Sequence, residues 1–236
     1  MKIIACGCSF MAVDKKAQGT HFTEIIANQL RGDLKSYAKM GASNFVIRLQ
    51  VEEALRQNPS LILIGFTSSD RIEISNSKFE LGKGIRNIQY SSAHKLPEFF
   101  NNLAGTVSAP ITNFLLNPVH LDEKIDSEKL NALKYWTTNL YDSQIKTQSD
   151  FYIVQSALYL LEKSKIPFIF TRGGLTGFSY DEWTNFEIDC AIGNPWLFVN
   201  HSDPMGSDIY HTTFHKQKEL ASVWLNKLTL FETKYK

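Results

Sequence analysis

Met1-Lys2-Ile3-Ile4-Ala5-Cys6-Gly7-Cys8-Ser9-Phe10 opens the chain. Ile3, Ile4, Ala5 and Cys6 form a short apolar run with two β-branched residues, closed by Gly7. Such a run predicts a strand buried on both faces, as in a parallel sheet. In an open α/β sheet, ligands bind just beyond the carboxyl ends of the strands. Ser9, just past this strand, therefore stands where a nucleophile is expected, although a serine there also serves simply to turn the chain.

The residues that follow repeat a strand–helix rhythm. Thr20 is the expected cap of a helix through Phe22, Ile25, Ile26 and Leu30, which Arg31-Gly32-Asp33 ends. Leu34 to Lys39 reads as a weaker second strand. Ser43, with Asn44 able to share the role, caps a helix through Phe45, Ile47, Val51, Ala54 and Leu55. Leu61-Ile62-Leu63-Ile64-Gly65-Phe66 is the clearest strand in the chain. This is β-α-β-α-β with short turns, the pattern of a parallel sheet with right-handed crossovers.

Residues 72–126 break that rhythm, being rich in Asn, Ser, Gly, Lys and Pro, with a short helix expected around Phe99 to Leu103. Asp126-Ser127 then caps a long helix toward Lys163, carrying Leu130, Leu133, Leu140, Ile145, Ile153, Leu158 and Leu161. Phe168 to Thr171 is a fourth strand and Trp196 to Val199 a fifth, separated by a Gly- and aromatic-rich loop over 172–195. From about Thr213 a last helix carries Leu220, Val223, Trp224, Leu228 and Leu230. The expected architecture is a three-layer α/β/α sandwich around a five-stranded parallel sheet of flavodoxin-like order. The 236 residues form one domain, with insertions at about 72–126 and 172–195.

Composition narrows the function. Lys and Arg total 25 against 24 Asp and Glu, so a net charge of +1 gives no overall field for nucleic acid or an acidic membrane. No apolar stretch approaches the ~20 residues of a membrane span. The N-terminal apolar segment is shorter than a signal peptide's core and reads as a strand. Three cysteines, an odd number, argue against a disulfide framework. These features together predict a cytoplasmic protein. Cys6 and Cys8 read as small buried hydrophobes. Nothing in the sequence calls for a cofactor or a metal. His215 stands four residues after His211, but no third ligand accompanies the pair, and packing or capping is the expected role. Gly-x-Ser-x-Gly is ruled out by Met11, and Gly7 lacks the partner glycines of a dinucleotide-binding turn.

Polar groups gather in the loops after the strands: Ser9, then Gly41 to Asn44, then Thr67 to Arg71, with Asp208 and His211 in the last loop. Acyl transfer needs a hydroxyl nucleophile, an imidazole base, a carboxylate to fix its tautomer, and donors for the oxyanion. Asp208 and His211, three residues apart before a helix, suit the carboxylate and the base.

With these blocks in this order, the chain resembles the SGNH (GDSL-type) hydrolase family. Gly7-Cys8-Ser9-Phe10 is similar to its Gly-Asp-Ser block, in a Gly-Cys-Ser-Phe form that occurs among small phage-associated members. Gly41 matches the glycine of the second block, Gly65 to Asp70 falls where Gly-x-Asn-Asp belongs, and Asp208-Ile209-Tyr210-His211 matches the closing Asp-x-x-His. The resemblance implies Ser9 as nucleophile, His211 as base and Asp208 as its orienter, with the Ser9 and Gly41 amides in the oxyanion hole. The family's oxyanion asparagine has no direct counterpart. Thr67 or Ser69 takes its place, according to which end of the block is aligned, and Asn44 is a possible substitute.

The expected substrate is a small-molecule or carbohydrate ester, such as an O-acetyl group, with no nucleic-acid or membrane partner and no indication of oligomeric state. Arg71 either binds a substrate carboxylate or phosphate or pairs with Asp70 or Glu73. Trp183 is a candidate pocket wall. His94, His120 and His201 are expected in solvent. The alternative is a catalytically weak or inactive module that uses the same cleft to bind a ligand or a protein.

Overall fold

The computed structural model describes residues 1–13, 18–39, 42–67, 69, 71, 131–132, 135–136, 138–172 and 214–235. Four parallel strands run through them: β1 (Lys2–Gly7), β2 (Asp33–Ser36), β3 (Leu61–Gly65) and β4 (Phe168–Thr171), in the order β2-β1-β3-β4. Four helices accompany them: α1 (Phe22–Gln29), α2 (Asn44–Arg56), α3 (Ser143–Ser164) and α4 (Phe214–Tyr235). The strand order is that of the first four strands of a flavodoxin-like sheet. The expected fifth strand, Trp196–Val199, lies outside the described residues, as does most of both insertions.

Alternation along each buried strand divides the core in two. Ile4, Cys6, Ile62, Ile64, Phe168 and Phe170 point to one face, where Val46, Ile47, Val51 and Ala54 of α2 and Val154, Ala157, Leu158 and Leu161 of α3 cover them. Ile3, Ala5, Leu61, Leu63 and Ile169 point to the other, beneath Phe22 and Ile26 of α1 and Leu220 and Trp224 of α4. Helices thus cover both faces, which is why β1, β3 and β4 are apolar at nearly every position. The edge strand β2 is short, mostly exposed and charged at Asp33 and Lys35, features that discourage pairing with a further strand.

Local chemistry sets the helix ends, and two expectations change there. α1 is capped by His21 rather than Thr20: its ring accepts from Thr23 N, while Glu24 returns a carboxylate to the His21 amide at 3.1 Å. Ser43 caps α2 as expected, accepting from Val46 N at 3.3 Å. The long helix predicted from Asp126-Ser127 does not run unbroken to Lys163. Leu140 N and Tyr141 N both bond to Trp136 O, at 2.8 and 2.9 Å, which closes the preceding turn. Asp142 then starts α3 by accepting from Gln144 N and Ile145 N. The predicted cap itself lies outside the described residues.

Leu140 and Ile145 are exposed, and so is Val223 of α4, although the apolar spacing assigns all three inward. The buried face of α3 instead begins at Asp150, whose charge is satisfied there by partners from α2 and from α3 itself. Among the described residues, no helix is long and apolar enough to cross a membrane.

Candidate active site

Strand order locates the crevice. The chain leaves β1 for β2 on one side and returns past it to β3 on the other, so the connections diverge at the carboxyl ends of β1 and β3. Open α/β sheets bind ligands at such a switch point. Gly7 and Gly65 are register partners at the ends of these two strands. Ser9 and Thr67 each lie two residues beyond that glycine pair, one on each wall.

The β1 exit is a tight turn. Met11 N and Ala12 N both bond to Cys8 O, at 3.0 and 3.1 Å, which places half-buried Ser9 within the turn and sends Met11 back into the core. Gly7 is held on both its polar groups. Its N–H donates to Gln50 Oε1 at 2.6 Å, and its carbonyl accepts from Gln50 Nε2 at 3.3 Å and from Lys39 N at 3.1 Å. Cys8 lies in the apolar cluster with Ala42, Val46 and Phe66. Cys6 and Cys8 are both free and buried, and burial pushes the Cys6 thiol far up, as befits a packing residue.

A second carboxamide of α2 holds the β3 exit in the same way. Asn44 Oδ1 accepts from Thr67 N, and Asn44 Nδ2 donates to Thr67 O, both at 2.8 Å. Asn44 Nδ2 also donates to Asp150 Oδ2 at 2.9 Å, and the other Asp150 oxygen pairs with Lys146. Both amide hydrogens of Asn44 are therefore engaged. Ser69 Oγ lies 2.9 Å from Thr147 Oγ1, which gives its own proton to Ser143 O; Ser69 is accordingly the donor in that pair. Of the three side chains considered as oxyanion donors, Thr67 has no such engagement among the described residues. Arg71 Nη1 donates to Ala42 O at 3.3 Å, and its buried Nε has no hydrogen-bond partner among the described residues.

His21 ties the Ser9 turn to α1. Its Nε2 lies 3.0 Å from Phe10 O, and its Nδ1 lies 2.7 Å from Thr23 Oγ1 and accepts from Thr23 N. A neutral ring with the proton on Nε2 satisfies all of these. Burial lowers its pKa from 6.5 to about 4, outweighing the opposite pull of the Phe10 carbonyl. The unfolded chain thus binds the proton below about pH 6.5 and the folded chain only below about 4. The stability this provides is complete above pH 6.5 and declines as the pH falls toward 4, by about 3 kcal/mol. Urea unfolding from pH 7.5 to 4 should show that decline, and His21→Asn, which keeps a capping oxygen without a titrating ring, should lessen it. Equal slopes in the two proteins would reject the assignment.

Of the residues predicted from sequence, Ser9, Asn44, Thr67, Ser69 and Arg71 are thus placed around the ends of β1 and β3. Gly41, Asp208, His211 and Trp183 lie outside the described residues. His215 is exposed on α4 and pairs with Glu219 at 2.9 Å, so it neither packs nor caps. Gln50, Asp150 and His21 escaped the sequence reading. The available signal was a polar residue in an apolar helical register: Gln50 beside Ile47 and Ala54, and Asp150 four before Val154.

No family model matches the chain, and no curated protein matches its sequence. Among solved structures, the chain is similar to the psychrotrophic esterase EstA from Pseudoalteromonas sp., in a structure inhibited by monoethylphosphonate. The alignment covers 98% of each chain at 11% identity, with a TM-score of 0.37. A likeness at that level carries no argument about fold or activity, so the functional reading rests on the residues around β1 and β3.

Proposed function

We propose that the protein is a serine esterase or acyl-hydrolase acting on a small ester, in the manner of the SGNH hydrolases it resembles. The observation that carries this reading is Ser9, half-buried in a tight turn just past the end of β1, with Thr67 at the same remove past the end of the neighbouring strand β3 at the switch point. In the proposed reaction, Ser9 Oγ attacks the acyl carbon as its proton passes to His211, and Asp208 fixes the imidazole tautomer. The oxyanion takes hydrogen bonds from the Ser9 and Gly41 amides and from the Thr67 hydroxyl. His211 then protonates the departing alcohol, and water, activated by the same base, releases the acid.

One link in the described residues favours bringing His211 to Ser9. α4 is fastened to α1 where buried Gln217 Oε1 accepts from Phe22 N at 2.8 Å, beside the His21 that holds Phe10. His211 precedes α4 by three residues, a covalent reach of at most about 11 Å. Arg71 suits a substrate carboxylate or phosphate. The residues of 72–126 and 172–195, Trp183 among them, supply the rest of the pocket and choose between a small-molecule and a carbohydrate ester. The free thiols of Cys6 and Cys8 fit a reducing, cytoplasmic setting.

Hydrolysis of p-nitrophenyl acetate tests the proposal. Turnover lost in both Ser9→Ala and His211→Ala supports it, and equal rates in wild type and Ser9→Ala refute it. The second reading, a binding module without turnover, is favoured by one observation: neither Thr67 nor Ser69 is the asparagine that the family uses.

A further inference from the structure

We infer that Asn44 is a positioning residue that sets Thr67 as the side-chain oxyanion donor, in place of an asparagine that donates directly; this rests on the esterase reading. The geometry is a two-sided clamp. A carboxamide that accepts from Thr67 N and donates to Thr67 O, both at 2.8 Å, fixes the peptide planes on either side of that residue. Neither bond reaches the Thr67 side chain, which leaves the hydroxyl free of the clamp that orients its backbone.

The clamp is itself anchored. Asn44 is fully buried on α2, and its remaining amide hydrogen is taken by Asp150, an equally buried carboxylate of α3 that also binds Lys146. Rotation of the Asn44 amide would turn its oxygen toward the Asp150 carboxylate and take the acceptor away from Thr67 N in the core, which is strongly disfavoured. A donor held this way is in place before the charge develops, the condition for effective oxyanion stabilisation. Gln50 acts in parallel on the opposite wall, holding both polar groups of Gly7, so α2 fixes the backbone on both sides of the crevice.

A kinetic double-mutant cycle, read beside backbone amide exchange, tests the inference. Thr67→Val should lower kcat by ~10²-fold with KM unchanged, as expected for one lost oxyanion donor. Asn44→Ala should lower kcat by a similar ~10²-fold through misplacement of that donor. The double variant should then lose only ~10²-fold, because both changes remove the same hydrogen bond. Multiplied losses, or a wild-type kcat in Asn44→Ala, would overturn the inference. Val51→Ala, a cavity on the same helix, should lower Tm while leaving kcat in place. A general weakening of α2 would instead reduce kcat in both helix variants.

Exchange gives a readout that does not depend on turnover. In Asn44→Ser, which is too short to span both groups and is the milder substitution should Asn44→Ala not fold, the Thr67 amide should lose protection. The neighbouring Phe66 amide, bonded to Thr171 O at 3.0 Å, should keep it. Unchanged protection of Thr67 would refute the clamp. A wild type lacking Ser9-dependent turnover would refute the esterase reading separately, with exchange still deciding whether Asn44 holds Thr67.

Discussion

Ser9→Ala is expected to reduce kcat for p-nitrophenyl acetate by ~10⁴–10⁶-fold while leaving the fold intact. The magnitude follows from the role: removing the nucleophile of a serine triad costs about as much as removing the whole triad, and the oxyanion donors with substrate binding retain only ~10³–10⁴ over water. The fold should survive because Ser9 is half-buried in a turn closed by backbone bonds from Met11 and Ala12 to Cys8 O. Deleting one hydroxyl at such a place changes stability by less than about 1 kcal/mol. A stoichiometric test accompanies the kinetics: a reactive organophosphonate should add one phosphonyl group to wild type and none to Ser9→Ala. A folded Ser9→Ala that still turns over, or is still labelled, would show that another group is the nucleophile.

Gly7→Ala is expected to damage stability and catalysis together. A Cβ on Gly7 would stand 2.3 Å from Met11 Cγ, 2.7 Å from Met11 Cβ and 2.9 Å from Gly65 O, at a φ of +157°. The flexible end of Met11 can shift, but its Cβ and the carbonyl of the neighbouring strand cannot. Overpacking of this kind costs about 3 kcal/mol, which for a chain of this size lowers Tm by roughly 6–12 °C. The shift needed to relieve the clash moves the turn that carries Ser9, and a displacement of about 1 Å can cost ~10² in rate. Met11→Ala should relieve part of the stability loss in a Gly7→Ala background, by removing the nearest atom. A Gly7→Ala protein with wild-type Tm and rate would contradict this packing of the β1 exit.

Much of this organisation is legible in the amino-acid sequence, for a definable reason. The burial of Ile3 to Cys6, Leu61 to Gly65 and Phe168 to Thr171 is written in unbroken apolar runs, because a strand covered on both faces cannot alternate with polar residues. Ser43 as a cap, and Ser9 and Thr67 just past the ends of β1 and β3, follow from local chemistry and chain direction. What failed locally did so where a competing interaction was stronger. His21 displaced Thr20 as a cap because its ring joins Thr23 to the distant Phe10 carbonyl. Ile145 faces outward and Asp150 inward because Asn44 and Lys146 satisfy the buried carboxylate.

The tertiary structure alone decided which polar side chain meets which backbone group. Gln50 reaches Gly7 across 43 residues, Asn44 reaches Thr67 across 23 and Asp150 across 106. These pairings exist only because the order β2-β1-β3-β4 lays α2 along the face of the two central strands with its N-terminal part at their carboxyl ends. Apolar periodicity records whether a residue is buried, and burial is nearly indifferent to the neighbour that supplies it. A hydrogen bond depends on one partner at one distance and angle, and that partner is fixed by sheet order and register. The sequence of this protein thus determines its strands, its caps and the position of its serine, while the packing of α2 onto the sheet determines how that serine and its opposing threonine are held.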